Sequence, residues 1–153
     1  WSLTLGAAWI LVAGAGASLR AFEGADATGL RAAFLPWLPI LGAAGVGQLF
    51  VGALTYLMPV VIGGGPSAVR VGVGVLEAGA PIREAARNVA AVFALAVASL
   101  GGVSAERLTI AAWVVLLATY IVDIVLMARC GVAQARVKRA AQSPTTTQGG
   151  RRG

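Results

Sequence analysis

The chain has 153 residues, of which 58% are hydrophobic and 12% charged, with a mean hydropathy of +0.84 and a formal net charge of +6. Soluble domains carry roughly 25% charged residues, so water is not the main solvent this composition suits. A single cysteine, Cys130, and no histidine exclude a disulfide, a zinc knuckle, a histidine-ligated haem or a Ser-His-Asp triad built from this chain alone, and basic residues spread between apolar blocks argue against nucleic acid as a partner.

The first block, Trp1 to Leu19, holds 19 residues without a charge, enough at 1.5 Å per residue to cross a hydrocarbon core of roughly 30 Å. It starts without an initiator methionine or a basic leader, which suggests a fragment of a longer protein. Gly14, Gly16 and Ser18 suit close approach to another helix. Residues Arg20 to Arg31 read as a short polar loop. The second block, Ala32 to Val69, is uncharged over 38 residues, with Pro36 and Pro39 suited to a first helical turn, Trp37 to the headgroup level, and Gly63, Gly64, Gly65 and Pro66 to a stop. The span is expected at about 38–62, and Gly42, Gly45, Gly47 and Gly52 predict that it packs inside a bundle.

Residues Arg70 to Arg87 read as an interfacial segment with a helix start at Pro81, and the uncharged run Asn88 to Ala105 follows as the third span. Gly101, Gly102, Ser104, Glu106 and Arg107 read as the turn into the fourth span, Leu108 to Ala128. The expected architecture is all-α: an integral membrane helical bundle of about four transmembrane helices over residues 1–130 (spans near 1–19, 38–62, 88–105 and 108–128), forming part of a larger bundle. Its partners are the lipid bilayer and further helices of the same polypeptide or oligomer. Residues 131–153, ending in SPTTTQGGRRG, read as a basic, disordered cytoplasmic tail or linker. Counting Lys and Arg near the spans puts Arg70, Arg83, Arg87, Arg129, Arg136, Lys138 and Arg139 on one side and Arg20, Arg31 and Arg107 on the other. That asymmetry predicts a plasma-membrane protein with both ends of the chain cytoplasmic.

Asp123 is the one acidic residue inside an apolar block, where a carboxylate costs roughly 2.5–3.5 kcal/mol on insertion scales unless paired or hydrated. One reading is a proton or cation relay with Tyr120, one turn away. The other is a structural carboxylate that reaches Arg129 or an arginine between spans two and three, under which Asp123→Asn and Asp123→Leu are both expected to be tolerated. Gln48, polar in the second span, suits an interhelical hydrogen bond or a cofactor contact. Met127 and Cys130 could turn two sulfurs to one side, with Met58 elsewhere, but two sulfurs do not make a cuprous site. The runs Gly63 to Ser67 and Val71 to Gly74 lack the lysine of a P-loop and the third glycine of a dinucleotide fingerprint. No catalytic or metal-binding residue is assigned, so this stretch alone is not read as an enzyme.

The stretch GQLFVGALTYLMPVVIGGGP, Gly47 to Pro66, resembles the membrane module of actinobacterial copper oxidases. In that family spanning helices are joined to a cupredoxin-like domain related to multicopper oxidases and copper nitrite reductases. The resemblance implies that this chain is the latter part of a membrane domain that anchors, and electronically serves, an extracytoplasmic copper domain, with copper held outside these residues. It marks Gln48, Tyr56 and Pro59 as motif positions, with Gln48 and Tyr56 the candidates for contact with a cofactor. The alternative is a small four-helix transporter or channel subunit acting as an oligomer, with Asp123 as its coupling residue.

Overall fold

A computed structural model describes residues 2–22, 26–98 and 102–142 of the chain. Regular structure among them is entirely helical: α1 (Ser2–Ala21), α2 (Ala27–Phe34), α3 (Gly47–Gly63), α4 (Pro66–Glu77), α5 (Ala80–Ala98) and α6 (Gly102–Gln142). Helix α2 starts at Asp26, whose carboxylate accepts the Gly29 N–H at 2.7 Å and so satisfies one of the free donors of a helix start. Between α2 and α3 the backbone stays helical but changes winding, through a 3-10 turn at Leu35–Trp37 and a π-helical stretch at Ile40–Val46. Pro36 and Pro39 supply no N–H for the α ladder, and irregular winding is how a helix absorbs that loss. The result is one helical run from Ala27 to Gly63, 37 residues long, so the two prolines lie within the run and not in its opening turn.

Three helices among the described residues are long and apolar enough to cross a membrane: Ser2–Ala21, Ala27–Gly63 and Gly102–Gln142. The expected third span, 88–105, differs. Its helix is Ala80–Ala98, which carries Arg83, Glu84 and Arg87 in its first half and does not reach that standard of length and composition. The segment expected as an interfacial stretch is the amphipathic helix α4, started by Pro66 after Gly65 and burying Ala68, Gly72 and Leu76 at four-residue spacing. Gly64 and Gly79, at φ +67° and +68°, take the left-handed conformation on either side of it. Of the turn expected over Gly101, Gly102, Ser104, Glu106 and Arg107, Gly101 lies outside the described residues and the rest is helical: Gly102, at φ +87°, opens α6, and both charged residues are exposed on its first turns. Helix α6 also continues to Gln142, into the segment expected to be a linker; residues 143–153, the rest of that segment, lie outside the described residues.

The chain divides into two packed units, Trp1–Leu54 with Gly79–Ile124, and Thr55–Ala78 with Val125–Gly153. The core of the first is made of small or branched residues: Ala13 of α1, Ile40 and Ala44 of the π-helical stretch, Ala90 and Ala91 of α5, and Leu116 of α6. Trp9, Trp37, Trp113 and Tyr120 close around it. Alanine and glycine at these contacts let backbones approach where lipid provides no hydrophobic drive between helices. A Cβ on Gly6 would meet the Leu49 backbone nitrogen at 2.9 Å, and one on Gly45 would meet Ile10 at 2.8 Å. In the second unit Gln134 donates to the carbonyls of Pro59 (3.0 Å) and Ala68 (3.2 Å), and Lys138 donates to that of Ile62. Side chains of α6 thereby supply donors around the break between α3 and α4, where the last carbonyls of α3 lack helical partners.

Candidate functional site

Buried positions of α6 recur at Ala105, Ala112, Leu116, Thr119, Asp123, Cys130 and Gln134. Gaps of three, four and seven keep them on one stripe of the helix. Three of the seven are polar, while Val114, Leu117, Ile121, Ile124 and Val125 on the other faces are exposed. Helix α5 shows the same arrangement, with Arg87, Ala90, Ala91, Ala94 and Val97 buried and Ile82, Val89 and Val92 exposed. Polar side chains inside and large apolar ones outside is the inverse of a water-soluble domain.

The inward polar groups of α5 and α6 meet in one cluster. Arg83 and Arg87, one turn apart on α5, both reach Asp123: Arg83 Nε donates to Oδ1 at 2.7 Å and Arg87 Nη2 to Oδ2. Arg87 Nε also donates to Thr119 Oγ1 at 3.0 Å, and the Thr119 hydroxyl donates to the Leu116 carbonyl at 2.6 Å. The Arg87 guanidinium lies 4.1 Å from the centroid of the Tyr120 ring, whose hydroxyl donates to the Ala43 carbonyl. Arg87 is 1% exposed and the Asp123 side chain 7%. A charge that deep costs several kcal/mol unless it is paired and hydrogen-bonded, and here carboxylate, threonine and aromatic face share the task.

On its other side α5 is tied to α1. Ser2 donates to Glu84, the Trp9 indole N–H donates to Asn88 Oδ1 at 2.6 Å, and Asn88 Nδ2 donates to the Glu84 carbonyl at 2.7 Å. The charged first half of α5 is therefore held by polar partners toward both α1 and α6.

Of the residues singled out from sequence, Asp123 and Tyr120 are brought together through Arg87. Asp123 finds its ion pairs with the arginines between the second and third expected spans, the second of the two partners anticipated, and not with Arg129. Gln48 lies in the same unit, fully buried, and neither atom of its amide has a hydrogen-bond partner among the described residues. Tyr56 belongs to the other unit and is 71% exposed. Cys130 is fully buried and faces Gly72, and no three His, Cys, Asp or Glu side chains gather as a metal site among the described residues. Sequence reasoning placed Arg83 and Arg87 among the boundary charges and passed over Gln134. For Arg87 a signal existed: it is in helical register with the small residues Ala90, Ala91 and Ala94 of the buried face.

With this geometry the chain is an all-α protein whose helices include three able, by length and composition, to cross a membrane. No protein-family model, curated protein or solved structure matches it.

Proposed function

We propose that the chain is the helical, bilayer-embedded part of a multispanning membrane protein, and that the Arg83–Asp123–Arg87 cluster is its internal clamp. The observation that carries this reading is the inverted distribution of polarity: Arg87, Asp123, Thr119, Gln48 and Gln134 buried, with valines, leucines and isoleucines outside. Pairing of its two arginines with Asp123 also favours α5 as a fourth spanning helix, since inward, paired charges cost less in lipid than hydropathy counts suggest. Both ends are then cytoplasmic, as the excess of Lys and Arg on that side predicts. Reporter fusions after Lys138 and within residues 24–29 should report opposite sides of the membrane, and finding both on one side overturns the four-span topology.

The role proposed for this bundle is to anchor, and electronically serve, an extracytoplasmic copper redox domain. The support is the resemblance of residues 47–66 to such membrane modules. Copper is held by that domain in this reading: Cys130 is buried, two sulfurs fall short of a ligand set, and no step is assigned to copper here. The coding sequence beyond both ends of the chain tests it. A histidine-bearing helix upstream and a cupredoxin-like segment downstream support the anchor, whereas a start codon shortly before Trp1 and a stop soon after Gly153 favour the small transporter or channel subunit. In the anchor reading Asp123 acts as part of the clamp, with each of its oxygens accepting from an arginine.

A further inference from the structure

In the second unit α4 and the end of α6 run alongside each other without closing the space between them. Gln134 bonds the Ala68 carbonyl, and Gly72 faces both Gln134 and Cys130. Successive contacts therefore run up α4 as they run down α6, so the two helices are antiparallel. Beside this seam lies an open groove of about 840 Å³. Val71 and Val75 of α4 and Leu126 and Val132 of α6 line it, together with Arg129 and Arg136. No carboxylate lines the groove, and neither arginine makes an ion pair with another described residue. Arg129 and Arg136 stand two turns apart on one face of α6, about 10 Å along the axis, at the end where the apolar run of that helix gives way to polar sequence.

We propose that this groove binds one anionic phospholipid, an acyl chain lying on the valines and Leu126 and the phosphate held by Arg129 and Arg136. The inference rests on the chain being embedded in a bilayer. Charge complementarity selects the occupant. A groove with apolar walls, two arginines and no acids in its lining matches a molecule with a long hydrocarbon tail and a single phosphate. Guanidiniums bind phosphate through paired N–H donors, and two long side chains can converge on one headgroup. Basic pockets between helices are a recurrent form of headgroup recognition.

The test uses the full chain purified in detergent, stripped of lipid, and given dioleoyl phosphatidylglycerol or dioleoyl phosphatidylcholine, with retention read by native mass spectrometry. Phosphatidylglycerol should be retained preferentially, and Arg129→Gln with Arg136→Gln should weaken its binding about thirtyfold, near fivefold per arginine. Gly74→Phe fills the groove from the α4 side. A Cβ there meets nothing within 4 Å, so the fold should tolerate it while retention of phosphatidylglycerol falls. Equal retention of the two lipids, displacement of the lipid by glycerol phosphate as readily as by intact lipid, or unchanged retention in Gly74→Phe overturns the proposal. So does a change of oligomeric state in Gly74→Phe without loss of lipid, which would assign the groove to a second copy of the chain. Alkaline carbonate extraction before purification separates the two levels of the argument: a chain that washes off membranes sinks the bilayer reading and this proposal with it, whereas a retained chain with no lipid preference sinks this proposal alone.

Discussion

Asp123 sits between two guanidiniums, and this changes what its substitution should do. From sequence, replacing it by leucine removes a desolvation penalty and should be harmless. With Arg83 and Arg87 both paired to it, the same change takes the carboxylate away from Arg87, whose side chain is 1% exposed, and from the part-buried Arg83. Asp123→Leu should therefore destabilise the protein by about 3–5 kcal/mol, read as thermal unfolding in detergent. Replacing all three charges together, Asp123→Leu with Arg83→Met and Arg87→Met, should recover most of the loss, because an apolar core of similar volume needs no pairing. An unchanged midpoint in Asp123→Leu alone would mean that the cluster holds nothing. Gln134 is a comparable case in the second unit. It serves two carbonyls, so Gln134→Leu should cost about 1–3 kcal/mol in the same assay. Cys130 is fully buried, so a maleimide should label it only after the protein is denatured; rapid labelling of the native protein would contradict the packing of α4 on α6.

At the scale of elements, glycines that look alike in sequence have opposite roles within one helix. On α1 a Cβ at Gly6 would press on the Leu49 backbone, whereas one at Gly14 meets nothing within 4 Å. Gly6→Ala should lower the unfolding temperature, since backbone must move to admit it, by an overpacking cost of about 1–3 kcal/mol. Gly14→Ala should raise it by up to about 1 kcal/mol of helix propensity. Equal effects at the two positions would show that α1 does not pack as described. The expectation that small residues of the second span face other helices divides in the same way: Gly45 and Gly52 lie against α1, while Gly42 is exposed with open space around it. Element existence was legible because it is local. Pro81 near the start of α5 and an uncharged run for α1 each act within a few residues, whereas Pro66, read only as part of a stop, also opens α4. Boundaries were less so. The turn before α6 was expected over Gly101, Gly102, Ser104, Glu106 and Arg107, but charged residues are at home on the exposed face of a helix, and from Gly102, with its left-handed backbone, onward the chain is helical.

For the whole molecule, both units bury polar side chains and expose large apolar ones: Arg87, Asp123 and Gln48 inside the first, Gln134 inside the second, with Leu117, Ile121, Val60 and Val61 outside. Water would penalise that surface and hydrocarbon would not. The full chain should therefore stay with membranes through alkaline carbonate washing and be released by detergent; recovery in the carbonate supernatant would refute membrane embedding. Composition alone determined the all-α class and the apolar blocks, because hydropathy and helix-stop residues are properties of neighbouring positions and need no partner. It also marked Asp123 as a residue in need of one. Which partner it has was decided only by tertiary structure. Arg87 and Arg83 lie 36 and 40 residues before Asp123 in the chain, and helical periodicity carries no information about which faces of α5 and α6 will meet across that distance. The groove beside α4 has the same origin: Arg129 and Arg136 read as boundary charges along the chain, and only the antiparallel packing of two helices sets them in the lining of an apolar trough.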